Sequence, residues 1–200
     1  MTYTPPPDIL PESGCRLPLP ERDALDDAGK QTYDRFANFQ DGALFGLRGP
    51  SGLNLHSPEV SKYFGPLNVY LRFNSGLSAE LRELVILVAA REMDSRFEWA
   101  AHESEALKEG VPQATIDVIK YRKPATGLPD EHLLIIEYGR QVLRDHKVSP
   151  EIFAQLNSVF GPKGIVDLAY LLGNYVSLAV FLATIDAQVP DNDRSELPVP

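Results

Sequence analysis

The chain has 200 residues, 44% of them hydrophobic and 24% charged, so it can bury one substantial core. Its 19 Lys and Arg stand against 28 Asp and Glu, a net charge of −9 without any basic run, which argues against nucleic acid and anionic membrane as partners. The single cysteine, Cys15, excludes an intrachain disulfide and a CxxC redox pair; with no signal-peptide pattern at the start, a cytoplasmic location is expected.

Residues 1–20 carry five prolines in their first eighteen positions and no apolar period. They predict an extended arm, either loose or draped over a partner subunit. Residues 21–190 read as a single helical domain and 191–200 as a tail. A helical period runs from Glu21 to about Asn38, with Leu25, Tyr33 and Phe36 on its apolar side. Four glycines and Pro50 make Gly42–Leu55 an irregular loop. Ser57-Pro58-Glu59 has the form of a helix start, with a capping hydroxyl and proline at the first helical position; that helix continues to Phe73 with a bend at Pro66. Ser78 caps the next helix, whose apolar residues from Leu81 to Ala90 cover every side and mark it as central. Ser95 to Lys108 predicts a polar-faced helix stopped at Gly110, and Pro112 opens a short one to about Tyr121.

After a loop with Pro124, Gly127 and Pro129, helical spacing returns over 131–145, 149–159 and 164–188. Ile165–Ile185 is apolar enough to raise a membrane question, but Asp167, Gly173, Asn174 and Ser177 within it favour a buried core helix. No segment alternates with period two, so the fold class is all-α. A faint internal echo pairs Leu81–Leu87 with Ile165–Leu171, by duplication or by chance.

Three acid–base residues stand out. Glu83 lies inside the most apolar helix, where a carboxylate must be protonated, hydrogen-bonded or paired; Arg72 and Arg91 are candidate partners. Ser95, Glu98 and His102, spaced i, i+3 and i+7, share one helix stripe, with Glu98 and His102 one turn apart. A carboxylate beside an imidazole raises its pKa, orients the ring and can shuttle a proton. The same pair also occurs on plain solvated surfaces, and Trp99 beside it suits core packing as well as a substrate platform. Two carboxylates and a histidine can also hold iron, manganese or zinc.

The stretch from Glu83 through Ser95, Glu98 and His102, followed by Glu109-Gly110-Val111-Pro112, resembles the signature of the carboxymuconolactone decarboxylase family and its alkylhydroperoxidase D-like relatives over roughly residues 57–122. The resemblance implies a compact all-α helical bundle. The peroxidase branch of that family has a glutamate, a CxxC pair about twelve residues later, and a histidine four residues after the second cysteine. Here Glu83 and His102 are kept, while Ser95 and Glu98 stand at the cysteine positions. Dithiol peroxidase chemistry is therefore excluded, because a serine hydroxyl cannot replace the attacking thiolate nor a carboxylate the resolving thiol.

The decarboxylase branch has a glutamate four residues before its histidine, as Glu98 precedes His102. That resemblance implies a lyase with no cofactor and no metal, acting on a small unsaturated lactone or ring-cleavage acid in aromatic-compound breakdown. In this expectation His102 donates the proton, Glu98 orients and charges it, and Glu83 is a second carboxylate behind them. Ser95, Trp99 and His56 are candidates to line the pocket, His56 being equally an exposed loop residue. Arg48 and Arg91 are candidates to clamp the substrate carboxylate. Lactone isomerisation, a retro-aldol step or a non-catalytic helical oligomer remain alternatives. The resemblance also implies a homo-oligomer, trimeric or hexameric, and the apolar 164–188 helix has more apolar surface than one domain needs.

Overall fold

The computed structural model describes residues 5–40, 44–189 and 197–198; the first four residues of the arm, Gly42 and most of the 191–200 tail lie outside them. The helices are α1 (Asp27–Ala37), α2 (Pro50–Leu53), α3 (Pro58–Val69), α4 (Ala79–Glu92), α5 (Arg96–Lys108), α6 (Gln113–Lys120), α7 (Asp130–Arg140) and α8 (Pro150–Thr184). Among the described residues there is no strand, only an isolated bridge between Leu10 and Cys15, and the architecture is an all-α bundle.

The bundle is built around α4. Ser78 Oγ accepts the Leu81 N–H, and every residue from Leu81 to Arg91 is buried. α5, α7 and α8 pack on its sides and α6 also meets it. Leu84, Ile86 and Leu87 are 0% exposed, and side chains of this size contribute about 1.5–3 kcal/mol each on full burial.

Helix starts differ in a way that sequence alone missed. Asp26, Ser78 and Ser149 cap α1, α4 and α8 from extended backbone with ψ of 176°, 153° and 154°. Ser57 sits at ψ 90° and its hydroxyl makes no capping bond, so α3 begins on Pro58 and Glu59 alone. Expected to continue to Phe73, α3 ends at Val69 and runs into a π-helical turn, Tyr70–Asn74, and a second π turn, Gln141–Asp145, follows α7. Each π turn leads into a Ser-capped helix, so the internal echo lies 71 positions apart, between 70–81 and 141–152, and not in the pairing expected from Leu81 and Ile165. The predicted irregular loop before α3 is largely helical: 3-10 turns at Gly46–Arg48 and Asn54–His56 flank α2.

The element α8 is two helices, 150–160 and 162–184, parted at Gly161, whose φ of 63° suits glycine and where Pro162 restarts the chain. It is the one helix among the described residues long and apolar enough to cross a membrane; Leu168, Leu171, Leu172, Tyr175 and Leu178 pack it into the core.

The N-terminal arm is seated on its own chain around Cys15. Arg16 N–H donates to the Ile185 carbonyl and Gln188 N–H to the Gly14 carbonyl, while Cys15 packs against Leu53 and Ile185. Leu197, from the predicted tail, is buried in the main core.

Gly139 lets α7 approach α4: a Cβ placed there would lie 2.3 Å from Val88 Cγ1. Val88 is stiff at χ1 and cannot move aside cheaply. Gly139→Ala is therefore expected to lower stability by about 1–3 kcal/mol in urea denaturation, and Val88→Ala to recover part of that loss in the double variant.

Candidate active site

The site forms where α4 and α5 cross. The chain reverses between them at Asp94, with φ of 49°, and Ser95 N–H closes on the Ala90 carbonyl, which sets the two helices side by side. Glu83 on α4 and His102 on α5 then meet: His102 Nδ1–H donates to Glu83 Oε2 at 2.7 Å. The other Glu83 oxygen accepts Arg82 Nε–H at 3.0 Å, and Arg82 also donates to the Arg72 carbonyl. Burial by itself would raise the Glu83 pKa, but the bonds and charges of His102 and Arg82 hold it below the ordinary carboxylate value. Glu83 is thus an ionised, fully engaged carboxylate.

With Nδ1–H given to Glu83, the Nε2 edge of His102 faces Glu98, whose Oε2 is 3.6 Å away, within ion-pair range and too long for a hydrogen bond. Glu98 is 3% exposed, and its Oε1 has no hydrogen-bond partner. Burial pushes the Glu98 pKa up, and the charges of His102 and Arg72 offset only part of that. Glu98, His102, Phe97, Arg72 and Tyr175 line a small inner chamber of about 50 Å3. The Tyr175 ring meets His102 edge-on at 5.2 Å, and burial raises the pKa of its hydroxyl.

The two carboxylates exchange the places expected for them: Glu83 orients the imidazole and Glu98 stands at the chamber wall. They also approach opposite nitrogens of one ring, so they share no point with His102 at which a metal could sit, and among the described residues no group of three such side chains forms a metal cluster.

The remaining candidates lie elsewhere. His56 is exposed and its Nε2 sits 2.7 Å from the Pro18 carbonyl, where it fastens the arm. Arg48 donates to the Ser13 carbonyl and also serves the arm, although its neighbours Gly46 and Gly49 line the chamber. Arg91 is bound to Asp94, which Arg122 also reaches, at the α4–α5 corner. Ser95 precedes α5 one turn before the chamber, and Trp99 points into the core with Lys120 over its ring at 5.9 Å.

Two participants were missed, Arg82 and Tyr175, while Arg72, expected as a partner of Glu83, lines the chamber and acts by its charge on Glu98. Arg82, an arginine beside Glu83 in an otherwise apolar run, was a readable signal, since a buried acid calls for a cation. Tyr175 depends on how α8 packs and leaves no local mark in the sequence, and neither does the π turn that carries Arg72.

Residues 58–133 match the model of the carboxymuconolactone decarboxylase family. Over this segment, somewhat over a third of the chain, the protein is similar to that family. In fold the chain is similar to an alkylhydroperoxidase AhpD core, an uncharacterized peroxidase-related protein from Ralstonia eutropha JMP134, with a TM-score of 0.74 and 20% identity over 94% of this chain and 98% of that one. Comparison with curated proteins gave no significant match.

The opposite shifts of the two carboxylates predict opposite stability effects. Native Glu98 holds its proton to higher pH than the unfolded chain does, so stability falls as pH rises from the ordinary carboxylate value through the raised one. Glu98→Gln removes that fall, and its melting temperature should exceed wild type at pH 8, with the gap closing towards pH 4. Native Glu83 contributes stability above its unfolded pKa that is lost on acidification. Glu83→Gln leaves Arg82 and His102 without their carboxylate and should cost about 3 kcal/mol at pH 7 in denaturant titration.

Proposed function

We propose that this protein is a cofactor-independent lyase of the decarboxylase type, acting on an unsaturated lactone or ring-cleavage acid with Glu98 and His102 as its proton-transfer pair. The observation that carries the reading is Glu98: a buried carboxyl with a raised pKa, on the wall of a chamber, beside a histidine locked by a second carboxylate. A carboxyl whose burial favours its protonated form is suited to deliver a proton to carbon. The family match supports the reaction class, and the Ser95 and Glu98 identities support the decarboxylase branch over dithiol peroxidase chemistry.

In the reaction, the bond to the leaving carboxylate breaks as carbon dioxide departs, and its electron pair enters the conjugated lactone as a dienolate. Glu98 gives its proton to the dienolate carbon. The resulting carboxylate is stabilised by His102 and Arg72 and regains a proton from solvent by way of His102 Nε2. One proton is consumed per carbon dioxide released. His102→Ala and Glu98→Gln should each lower kcat on carboxylated lactones by about 10²–10⁴-fold while far-UV circular dichroism stays unchanged. In wild type, kcat should fall as pH rises through the raised Glu98 pKa. Carbon dioxide release unaffected by both substitutions would overturn the assignment.

A homo-oligomer forms part of the same proposal. Val166, Tyr170 and Val180 make an exposed stripe along α8, and Val60, Tyr63 and Phe73 add exposed apolar surface on α3 and the turn after it. Light scattering should give a mass three or six times the 22.2 kDa of one chain, and a single monomer peak would remove the proposal.

A further inference from the structure

The inner chamber has a second compartment. A cleft of about 530 Å3 lies between α1 and α3, and Ser51, Asn68 and Arg72 line both it and the chamber. The two volumes differ in kind. The chamber takes on the order of four water-sized groups, enough for a reacting carbon and its substituents. The cleft falls in the range of sites that enclose whole small molecules. Its walls include Phe36, Leu55, Phe64, Pro66 and Val69, which suit an apolar body.

Arg72 stands at the neck between them. It belongs to the π turn after α3, and an inserted π turn of this sort redirects side chains at functional sites. Its carbonyl is held by Arg82, the same residue that engages Glu83. Its guanidinium acts on both Glu98 and Tyr175 across the chamber. Asn68, also at the neck, is fixed by a bond from Asn174 of α8. Among the other charges of the cleft, Asp26 caps α1, Glu59 lies 3.8 Å from Lys62, and Arg35 donates to the Thr32 hydroxyl.

We propose that the α1–α3 cleft and the inner chamber form one continuous substrate site, with Arg72 as the anion anchor at the neck. The ligand class is an organic carboxylate whose reacting end enters the chamber and whose apolar body, larger than the chamber, lies in the cleft. The anion on Arg72 is one that the reaction leaves in place, because clamping the departing carboxylate would stabilise the ground state against the reaction. The inference rests on the acid–base reading for its reacting end, while its binding geometry is measurable without turnover.

The test is calorimetric binding of benzoate, biphenyl-4-carboxylate and uncharged biphenyl-4-carboxamide to the intact protein. Wild type should bind biphenyl-4-carboxylate at least about tenfold more tightly than either of the others. Arg72→Gln should remove the preference for carboxylate over carboxamide, with Arg72→Lys restoring part of it. Thr32→Trp, which fills the cleft from α1, should remove the preference for the biphenyl body, and Ser61→Trp does so from α3 if the first variant melts early. Equal affinity for benzoate and biphenyl-4-carboxylate, or size preference that survives both tryptophan variants, would overturn the cleft assignment. A charge preference unchanged in Arg72→Gln would overturn the anchor. Intact binding with no turnover on any lactone would overturn the acid–base reading alone.

Discussion

An ionised carboxylate at the centre of a helical bundle governs this fold. Glu83 sits among Leu84, Ile86 and Leu87, where an unpaired charge would be too costly to keep. It persists because Arg82 and His102 take one oxygen each. Those two bonds fix more than a charge. They set the register of α5 against α4, the tautomer and tilt of the imidazole, and, through Arg82 and the Arg72 carbonyl, the end of the π turn. Truncating any member leaves the others buried and unmatched, so the network is as much a structural keystone as a functional one.

Two carboxylates within reach of one histidine meet opposite fates because their surroundings differ. Glu83 has a guanidinium and an N–H bonded to it; Glu98 has the distant Nε2 edge, the charge of Arg72 and an oxygen with no donor. The first is held ionised and the second is driven towards the neutral acid. Such divergence between neighbouring titratable groups separates an orienting residue from a proton-delivering one. The π turn adds a third element: it carries Arg72, which lines the chamber.

Much of this was legible in the chain. The central helix followed from apolar residues on all sides of 81–90, and the Glu98–His102 pair from i, i+4 spacing. Their convergence with Glu83 followed from the family resemblance and not from periodicity. The long-range placements were not legible: Arg48 and His56 lie near glycines and a helix start, as binding residues often do, yet both are spent on the arm. Arg91 is drawn to Asp94 by a tight turn that no apolar pattern reports. Ser57 has the right identity for a cap and the wrong ψ. Identity and spacing specify faces of helices, whereas rotations between elements are settled by packing and by a few buried polar bonds.

The seated arm gives its thiol a particular character. Cys15 is 1% exposed, beneath a strand-like bridge and against Leu53 and Ile185, and the arm over it is clasped by Arg48 and His56. A thiol reagent added to the native protein therefore reads the opening of that clasp and nothing else in the chain. Its labelling rate is a clock for local unfolding at the end of α8, running independently of the chemistry at Glu98.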